Sequence, residues 1–484
     1  MTQLAKNWIN GEWTDSTKHT DSINPATYEI LGQYADASET DAQNAINAAK
    51  AAFQNTIWKD DRALRSKVLH ELADGFERYT EELIDTLCKE NGKVRGEATF
   101  EVTMVPAKLR YSASLTMTDY GRSLEPKPGS FSIVLKQAMG VAGIITPWNS
   151  AIVLMIRSLA PALAAGATTV IKMPGQSAQV SALMSKIFSE APSLPKGVIN
   201  LFSESGADGS KLLISSPDVP VISFTGSTGT GRAISAVGAQ HLKRFGMELG
   251  GKTPMILFND ADLDKALPKL EKALTTFAGQ FCMTGSRLLV QRDIADQVRK
   301  RLSERLENVK PGPAADPASD MGPLIDKPNV QRVNGIVEKA ISAGAKVLVR
   351  GGPITEGELS KGAFYRPTLL EVNDNKMDIV QQEVFGPVLT LQVFDTEAEA
   401  IELANDNEYG LAASIWTRDV DRPLRVAREI DAGTIWINDW AVIYDEFEEG
   451  GFKQSGLGRL NGVAAMDDFI EYKHITISSG LVNS

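Results

Sequence analysis

Short apolar runs recur along this chain, each followed by turn residues and an amphipathic stretch, and this alternation limits the possible folds more tightly than any other pattern. Strand patterns that alternate with helix patterns indicate βαβ units, because helices must cross between parallel strands and cover the sheet. One series precedes Pro254 and another follows it, so we predict two α/β domains. The first series is Val141 to Ile145, Thr168 to Ile171 and Val221 to Phe224; the second is Arg287 to Gln291, Lys346 to Val349, Val388 to Phe394 and Gly433 to Asn438.

Outside these series, the residues from Asp41 to about Asn91 have the periodicity of surface helices, and two segments have the pattern of peripheral strands. Glu125 to Gln137 carries two prolines and a glycine before alternating apolar residues, which is typical of a hairpin arm rather than of a core sheet. Glu471 to Ser478 is also strand-like. Because exposed strand edges seek partners, we expect these two segments to pair with each other or with another subunit.

The charge and cysteine content exclude several classes of protein. The 484 residues include 50 basic and 61 acidic side chains, a formal net charge of −11. A nucleic-acid partner is disfavoured, because a phosphate backbone is normally met by a basic face. The two cysteines, Cys88 and Cys282, are too few for a disulfide framework and suit a reducing compartment, so we expect a cytoplasmic protein.

The most membrane-like stretch runs from Ala151 to Ile171 and is long enough to span a bilayer. It contains Arg157, Pro161 and Gly166, however, which are unfavourable in a spanning helix. We therefore predict a buried helix followed by a short buried strand, and no membrane partner.

Cys282 lies in the run GQFCMTGSR, among small and turn-forming residues. Such neighbours leave backbone amides free to face an oxyanion and leave room for a substrate, so Cys282 is a candidate nucleophile. The alternative is a buried, inert thiol, which is the role that we assign to Cys88 on its amphipathic helix.

A cysteine nucleophile needs help to ionise, since an unperturbed thiol with a pKa of about 8.5 is mostly neutral at neutral pH. The four histidines stand in polar surroundings, which disfavours a Cys–His dyad. Glu248, in FGMELGGKTP, stands instead among apolar residues and two glycines. Partial burial would raise the pKa of Glu248 and suit it to act as a general base.

Two turns follow strands of the first series. GIITPWNS, from Gly143 to Ser150, includes Asn149, whose amide would stabilise a developing negative charge, cap the following helix, or do both. FTGSTGTG, from Phe224 to Gly231, would leave free amides at a helix N-terminus, where phosphate groups bind. Both turns fall at the carboxyl ends of predicted parallel strands, which is where open α/β sheets bind ligands.

Together these segments resemble the aldehyde dehydrogenase superfamily over nearly the whole chain. The resemblance implies that family's α/β fold, with a Rossmann-like cofactor domain (1–118 and 138–248), an α/β catalytic domain (249–450) and a β-hairpin oligomerisation arm (119–137 and 464–484). The matching motifs, specific in their order and separation, are NWINGEW near the start, TPWN at 146–149, VIK at 170–172, FTGS at 224–227, ELGGK at 248–252, GQFC at 279–282, EVFGPV at 383–388, NEYGLAA at 407–413, SGLGR at 455–459 and EYK at 471–473.

The resemblance implies NAD(P)-dependent oxidation of an aldehyde to a carboxylic acid, without a metal. Cys282, as thiolate, would attack the aldehyde carbon, while Asn149 and the backbone amide of Cys282 would hold the oxyanion. Hydride transfer to the nicotinamide would leave a thioester, which water activated by Glu248 would hydrolyse.

Cofactor contacts follow from the same resemblance by matching positions. Lys172 is expected on the adenosine ribose, Gly226 and Ser227 near the pyrophosphate, and Leu249 beside the nicotinamide. The remaining expected contacts are Ile145, Thr146, Trp148, Glu383 and Phe385, the last two on the nicotinamide ribose, and Gly206, which rests on an ambiguous alignment.

Two departures from the family pattern bear on specificity. Many NAD-preferring relatives have a glutamate three residues after the lysine, where this chain has Gly175, so NADP is allowed although NAD is expected. Glu448 and Glu449 replace the family's usual proline and aromatic residue near the substrate tunnel. This acidic pair would favour a cationic amino-aldehyde, form a solvated rim, or pair with Arg157 through Glu449. Arg157, eight residues after Asn149, would equally suit a semialdehyde or an aromatic, phenol-bearing aldehyde, so the substrate class stays open.

Three other functions remain as alternatives. An acylating dehydrogenase would pass the thioester to coenzyme A, but such enzymes commonly lack the carboxylate of Glu248. A hydrolase of nitrilase type would use Glu248, Lys172 and Cys282, but it leaves the glycine-rich strand ends unexplained. A non-catalytic relative would have no need to retain the cysteine, the glutamate and the asparagine together. We expect a homodimer or homotetramer that acts on a small-molecule aldehyde.

Overall fold

The computed structural model of the protein describes residues 4–118 and 121–482. The strands of this part are β1 (Leu4–Ala5), β2 (Asn7–Ile9), β3 (Glu12–Thr14), β4 (Lys18–Ile23), β5 (Ile30–Asp36), β6 (Arg122–Lys127), β7 (Ser130–Ala138), β8 (Val141–Ile145), β9 (Thr168–Pro174), β10 (Ile199–Glu204), β11 (Val221–Thr225), β12 (Arg244–Glu248), β13 (Thr253–Leu257), β14 (Gly285–Gln291), β15 (Lys346–Val349), β16 (Gly352–Pro353), β17 (Tyr365–Arg366), β18 (Thr368–Glu371), β19 (Val388–Phe394), β20 (Ala412–Trp416), β21 (Thr434–Ile437), β22 (Gly456–Leu457) and β23 (Ile470–Ser478).

The α-helices of the same residues cover and connect these strands. They are α1 (Glu39–Asn55), α2 (Arg62–Arg78), α3 (Thr80–Glu90), α4 (Arg95–Thr103), α5 (Val105–Thr118), α6 (Ala151–Ala165), α7 (Ala178–Ser189), α8 (Asp208–Ser215), α9 (Thr228–Gly238), α10 (Leu263–Thr275), α11 (Ala295–Glu307), α12 (Lys327–Ser342), α13 (Asp378–Gln381), α14 (Glu397–Asn405) and α15 (Arg422–Glu429).

The first sheet has a parallel centre in the order β10-β9-β8-β11-β12. The chain builds outward from β8 in one direction and then crosses to β11 and β12, which is the strand order of a Rossmann-type, doubly wound sheet. The predicted α/β character is confirmed, and the predicted strands of the first series begin where the sequence patterns begin. A ligand crevice is expected between β8 and β11, where the connections leave in opposite directions.

Both faces of the first sheet are buried, which explains why the sequences of its central strands are continuous apolar runs. Along β8, Ala142 and Ile144 join the core that includes α2, α6 and α7, whereas Val141 and Ile145 join the core that includes α1, α8 and α9. Successive strand residues point to opposite faces, so a strand covered by helices on both sides must be apolar throughout.

The second sheet follows the same logic. Its order is β15-β18-β19-β14-β13-β20-β21, and all its pairings are parallel except that of β15 with β18. On β14, Leu288 and Val290 face the core that contains α10 and α11, and Leu289 faces the core that contains α14 and α15. The chain passes from the first sheet to the second through residues 249–252, between β12 and β13.

The two peripheral segments pair with each other within one chain. Strand β23 runs antiparallel to β7 from Ile470 opposite Ala138 to Ser478 opposite Ser130, and β6 pairs with the other edge of β7. From Glu471 onward β23 is exposed along its length. The role of this arm in assembly, and the domain boundaries, stay predictions.

The apolar stretch after Asn149 forms the buried helix and strand that the sequence predicted. Helix α6 is followed by Gly166, whose φ of 97° lies in the left-handed region that ends helices readily, and β9 begins two residues later. Within residues 4–118 and 121–482, no helix combines the length and the apolarity that a bilayer crossing needs.

Candidate active site

The strand register aligns several predicted site residues across the carboxyl edge of the first sheet. One row runs from Lys172 through Ile145 and Phe224 to Met247, the neighbour of Glu248. Lys172 is therefore three strands from β12, about 14 Å at the usual spacing of 4.8 Å between strands. That separation argues against the hydrolase alternative, in which Lys172 and Glu248 would act on the same atom.

Asn149 links the loop after β8 to the loop that carries Cys282. Its side chain is 5% exposed, and its Nδ2 donates a hydrogen bond of 2.9 Å to the carbonyl oxygen of Gln280. The N-cap position of α6 belongs to Ser150 rather than to Asn149, so the alternative capping role of Asn149 is not observed. The amide has a second N–H, which remains for a ligand.

The loop before Cys282 has an unusual backbone that its neighbours hold in place. Phe277 and Ala278 both have a φ of 53°, a left-handed conformation that is strained for residues with a side chain. The buried carboxylate of Glu97 accepts the Phe277 amide at 2.8 Å. Gln280 donates to the Phe277 carbonyl at 3.0 Å and accepts the Ile325 amide at 2.8 Å.

On the other side of the nucleophile, Trp440 donates its indole N–H to the carbonyl of Met283 at 2.9 Å. Phe281 packs edge-to-face against both Phe277 and Trp440, with ring centroids 5.6 and 5.9 Å apart. Sequence reasoning missed these supporting residues. Gln280 stands inside the GQFC motif and could have been noticed, but nothing in the local sequence of Glu97 or Trp440 indicates the contact.

The two cysteines differ in their surroundings. Cys282 is partly exposed, and burial of its thiol raises the pKa to about 12; the positive charge of Arg157 opposes this, while the nearby carboxylates add to it. Cys88 lies on α3, packs against the core of the first sheet, and has its pKa raised by burial as well. All four histidines are exposed, in agreement with the sequence argument against a Cys–His dyad.

Glu248 ends β12 and is 8% exposed. Burial raises its pKa to about 8, the direction that its apolar neighbours predicted; Arg157 lowers the pKa and Glu449 raises it. Gly450 approaches the carboxylate so closely that a Cβ built on it would lie 3.1 Å from Glu248 Oε1. The glycine thus leaves space at the oxygen that a general base would present to water.

Arg157 and Glu449 form a buried ion pair, their side chains 7% and 5% exposed. Nη2 faces Oε1 directly, although the contact lacks the alignment of a hydrogen bond. Of the expectations for Glu449, the structure shows pairing with Arg157. The neighbouring Glu448 points elsewhere, accepting the amide of Ala464 at 3.2 Å. Lys108, which pairs with Asp445, is a further cation beside this pair.

Several residues predicted to contact the cofactor lie at the carboxyl ends of β8, β9 and β11. Thr146 donates its amide and its hydroxyl to the carbonyl of Lys172, each at 3.2 Å. Gly226 donates its amide to the Glu248 carbonyl at 3.0 Å, and Ser227 caps α9 by accepting the Thr230 amide at 3.2 Å.

Other residues predicted to contact the cofactor, including those expected at the nicotinamide, also converge. Trp148 packs edge-to-face on Phe385, with ring centroids 5.6 Å apart, although 236 positions separate them. Glu383 accepts the Gly251 amide at 3.3 Å; burial raises its pKa to about 7. Leu249 packs against Gly231, where a built Cβ would lie 2.6 Å from Leu249 Cδ2.

Gly175 and Gly206, the two cofactor positions with the least support from the sequence, lie in different surroundings. Gly175 is buried, and a Cβ built there would lie only 2.1 Å from the phenol oxygen of Tyr34. Gly206 is exposed and has open space around it. The donor set as a whole fits a dinucleotide: a lysine and helix amides for ribose and phosphates, and the Glu383 carboxylate for a ribose diol.

Comparison with known proteins agrees with this arrangement. The family model described as "Aldehyde dehydrogenase family" matches residues 13–475. The betaine aldehyde dehydrogenase of Bacillus subtilis (strain 168) is 38% identical over 472 residues, which cover 97% of this chain and 96% of that protein. The 2-aminomuconic semialdehyde dehydrogenase of Danio rerio is 35% identical over 480 residues, 98% of each chain.

Solved structures of similar proteins share the whole fold. The betaine aldehyde dehydrogenase of Staphylococcus aureus in complex with NAD+ superposes with a TM-score of 0.94 at 34% identity, covering 99% of this chain and 96% of that one. A point mutant of an aldehyde dehydrogenase of Bacillus cereus gives a TM-score of 0.95 at 34% identity, with 99% and 97% covered.

Proposed function

The chain belongs to the aldehyde dehydrogenase family, and we propose that it oxidises a small aldehyde to the carboxylic acid with NAD as the electron acceptor. The observation that carries the proposed mechanism is a convergence: the Asn149 amide is bonded to the loop of Cys282, and Glu248 lies in the same electrostatic environment as the thiol. Glu248, Arg157 and Glu449 all face Cys282 closely enough to shift its pKa.

In the proposed reaction Cys282 first releases its thiol proton to water, and the sulfur of the resulting thiolate then forms a bond to the aldehyde carbon. The carbonyl oxygen becomes an oxyanion, held by the free N–H of Asn149 and by the backbone amide of Cys282. Arg157 is the nearby positive charge that favours the thiolate. NAD, when bound, supplies the hydride acceptor, so that the tetrahedral adduct on Cys282 becomes a thioester.

Glu248 completes the cycle. As a carboxylate it takes a proton from water, whose oxygen bonds to the thioester carbon, and the Cys282 thiolate leaves with the electrons of the carbon–sulfur bond. A pKa of about 8 leaves a useful fraction ionised near neutral pH and gives proton transfer a favourable driving force. This deacylating role also favours hydrolysis over transfer to coenzyme A.

We assign the cofactor-binding domain to residues 1–118 and 138–248, with Lys172 on the adenosine ribose and the amides that open α9 near the diphosphate. Glu383, from the catalytic domain, is assigned to the nicotinamide ribose. The NAD+ complex of the similar S. aureus enzyme supports the choice of NAD as cofactor. Position 175, as a glycine, leaves NADP formally open. We also propose a cytoplasmic homodimer or homotetramer joined through the arm, and sedimentation of wild type against a chain lacking 464–484 tests that assembly.

The substrate class is set in this proposal by the Arg157–Glu449 pair beside the thiol. The similar proteins named above are named for betaine aldehyde, which carries a quaternary ammonium cation, and for 2-aminomuconic semialdehyde, which carries one carboxylate. Either charge has an opposite partner here, so we propose a polar aldehyde rather than an alkanal.

The test is a panel of betaine-type, semialdehyde, benzaldehyde-type and alkyl aldehydes, assayed for reduced nicotinamide with wild type, Cys282→Ala and Glu449→Gln. We expect turnover of a polar aldehyde by wild type and none by Cys282→Ala. Residual activity in Cys282→Ala would mean that the nucleophile is misassigned. An unchanged substrate ranking in Glu449→Gln would remove the role of the ion pair. Product analysis with and without coenzyme A distinguishes hydrolysis from acyl transfer.

A further inference from the structure

We propose that Glu204, at the end of β10, makes this site selective for NAD by excluding the ribose 2′-phosphate of NADP. The inference rests on the proposed function, because it concerns the adenosine-ribose end of the proposed cofactor cleft. It answers the question that Gly175 leaves open, namely whether a missing carboxylate at that position admits NADP.

Glu204 stands beside the lysine proposed to bind the ribose. Strands β9 and β10 are parallel neighbours, with Lys172 opposite Phe202 and Pro174 opposite Glu204. Both side chains therefore emerge at the carboxyl edge of the sheet. Lys172 Nζ lies 3.9 Å from Glu204 Oε1, close enough for strong electrostatic attraction but beyond hydrogen-bond distance. A negative charge is thus present at this end of the crevice, one strand away from position 175.

Position 175 itself has no room for a carboxylate. Because a Cβ there would lie 2.1 Å from the phenol oxygen of Tyr34, any side chain would have to displace that ring, which is 2% exposed. Burial raises the pKa of Tyr34 to about 12, so the group that fills the space is neutral at physiological pH. A negative charge near the ribose must therefore come from another residue: Glu204 lies beside Lys172, and Asp36 and Glu90 are the further carboxylates near Tyr34.

Glu204 also occupies the donors that a phosphate would use. Its Oε2 accepts the amide of Gly209 at 2.9 Å, and its Oε1 accepts the amide of Ser210 at 3.1 Å as well as the Ser210 hydroxyl. These amides open α8, and the amino end of a helix is where anions bind most readily. The carboxylate is 2% exposed, so an anion that approaches from solvent cannot readily displace it from these amides.

A neutral ribose diol and a 2′-phosphate would meet this arrangement differently. Lys172 still has N–H donors for a hydroxyl, because its distance from Glu204 is too long for a hydrogen bond. A phosphate carrying nearly two negative charges would instead be repelled by Glu204 and would find the α8 amides taken. The same carboxylate therefore leaves NAD binding intact and penalises NADP.

The experiment measures equilibrium binding, not turnover. Dissociation constants of NAD, NADP and 2′-phospho-ADP-ribose are determined by titration calorimetry for wild type, Glu204→Gln and Asp208→Asn. Asp208→Asn is the matched control, because it removes the same charge from the first turn of the same helix, where the side chain is 76% exposed. We expect wild type to bind NAD at least about 30-fold more tightly than NADP, and Glu204→Gln to reduce that ratio about tenfold or more.

The outcomes separate the two proposals. Wild type that binds NAD and NADP equally well overturns the role of Glu204 without touching the proposed function, and this comparison needs no variant to fold. A ratio unchanged in Glu204→Gln, or changed as much in Asp208→Asn, also overturns it. Failure of wild type to bind any nicotinamide dinucleotide would instead refute the proposed function, and with it the premise of this inference.

Discussion

Removing either Arg157 or Glu449 from their ion pair should destabilise the protein. The two substitutions should also shift the pH dependence of turnover, in opposite directions. Both side chains are more than nine-tenths buried, so removal of one charge leaves the other uncompensated in a poorly solvated site. We expect a loss of about 3–5 kcal/mol in the free energy of unfolding for Arg157→Met or Glu449→Leu alone. The double variant, with apolar residues of similar size, should lie close to wild type.

The same substitutions should change the pKa values of the catalytic groups. Arg157 is the leading charge that lowers the pKa of Glu248 and of Cys282, and Glu449 raises both. Turnover requires Glu248 and Cys282 in their ionised forms. The pH range over which turnover rises should therefore move to higher pH in Arg157→Met and to lower pH in Glu449→Leu. A shift of one pH unit corresponds to about 1.4 kcal/mol of interaction between charges. Arg459, which also lowers the pKa of Glu248, remains in both variants and limits the shift.

The measurements are urea unfolding by tryptophan fluorescence, at one fixed protein concentration, and the dependence of kcat on pH. A double-mutant cycle then gives the coupling energy, which from two single losses of about 3–5 kcal/mol and a double variant near wild type should be about 6–10 kcal/mol. Single variants that each lose less than about 1 kcal/mol would show that the pair behaves as a solvated surface pair and would refute the reasoning. Shifts of the pH limb in the same direction for both would refute the electrostatic part.

Three further predictions follow from single contacts. Glu248→Gln should retain a burst of one reduced nicotinamide per site but lose about 10²–10⁴-fold in steady-state turnover. In wild type, turnover should rise with pH through about 8, where Glu248 ionises. An unchanged steady-state rate in Glu248→Gln would show that Glu248 is not the base. Glu97→Ala should lower the free energy of unfolding by about 1–3 kcal/mol, because it leaves the buried Phe277 amide without a hydrogen-bond acceptor. Glu97→Gln should restore the stability, and thermal unfolding of both variants measures this. Equal losses of stability in the two variants would contradict the prediction. Gly450→Ala, at a φ of 156° and against Glu248 Oε1, should lower kcat more than the affinity for NAD, and a normal kcat would mean that the close approach is unimportant.

Much of the fold was predictable because its signals are local. A strand covered on both faces must be apolar throughout, so β8 and β11 could be located from sequence alone, and the turns after them had to lie at one edge of a parallel sheet. The candidate nucleophile, base and oxyanion donor stood in distinctive surroundings of small or apolar residues. Family resemblance then aligned these segments in a specific order.

Pairings between distant residues were decided only by the tertiary structure. Glu449 had more than one possible role, and only the packing of α6 against the segment after β21 brings it to Arg157. The glycine at 175 suggested an open site, whereas Tyr34 fills the space and Glu204 carries the charge. Glu97 and Trp440 support the nucleophile loop from elements far along the chain. Local composition determines which strand or helix forms; which side chains then meet depends on strand order and register, which bring together residues that no short stretch of sequence relates.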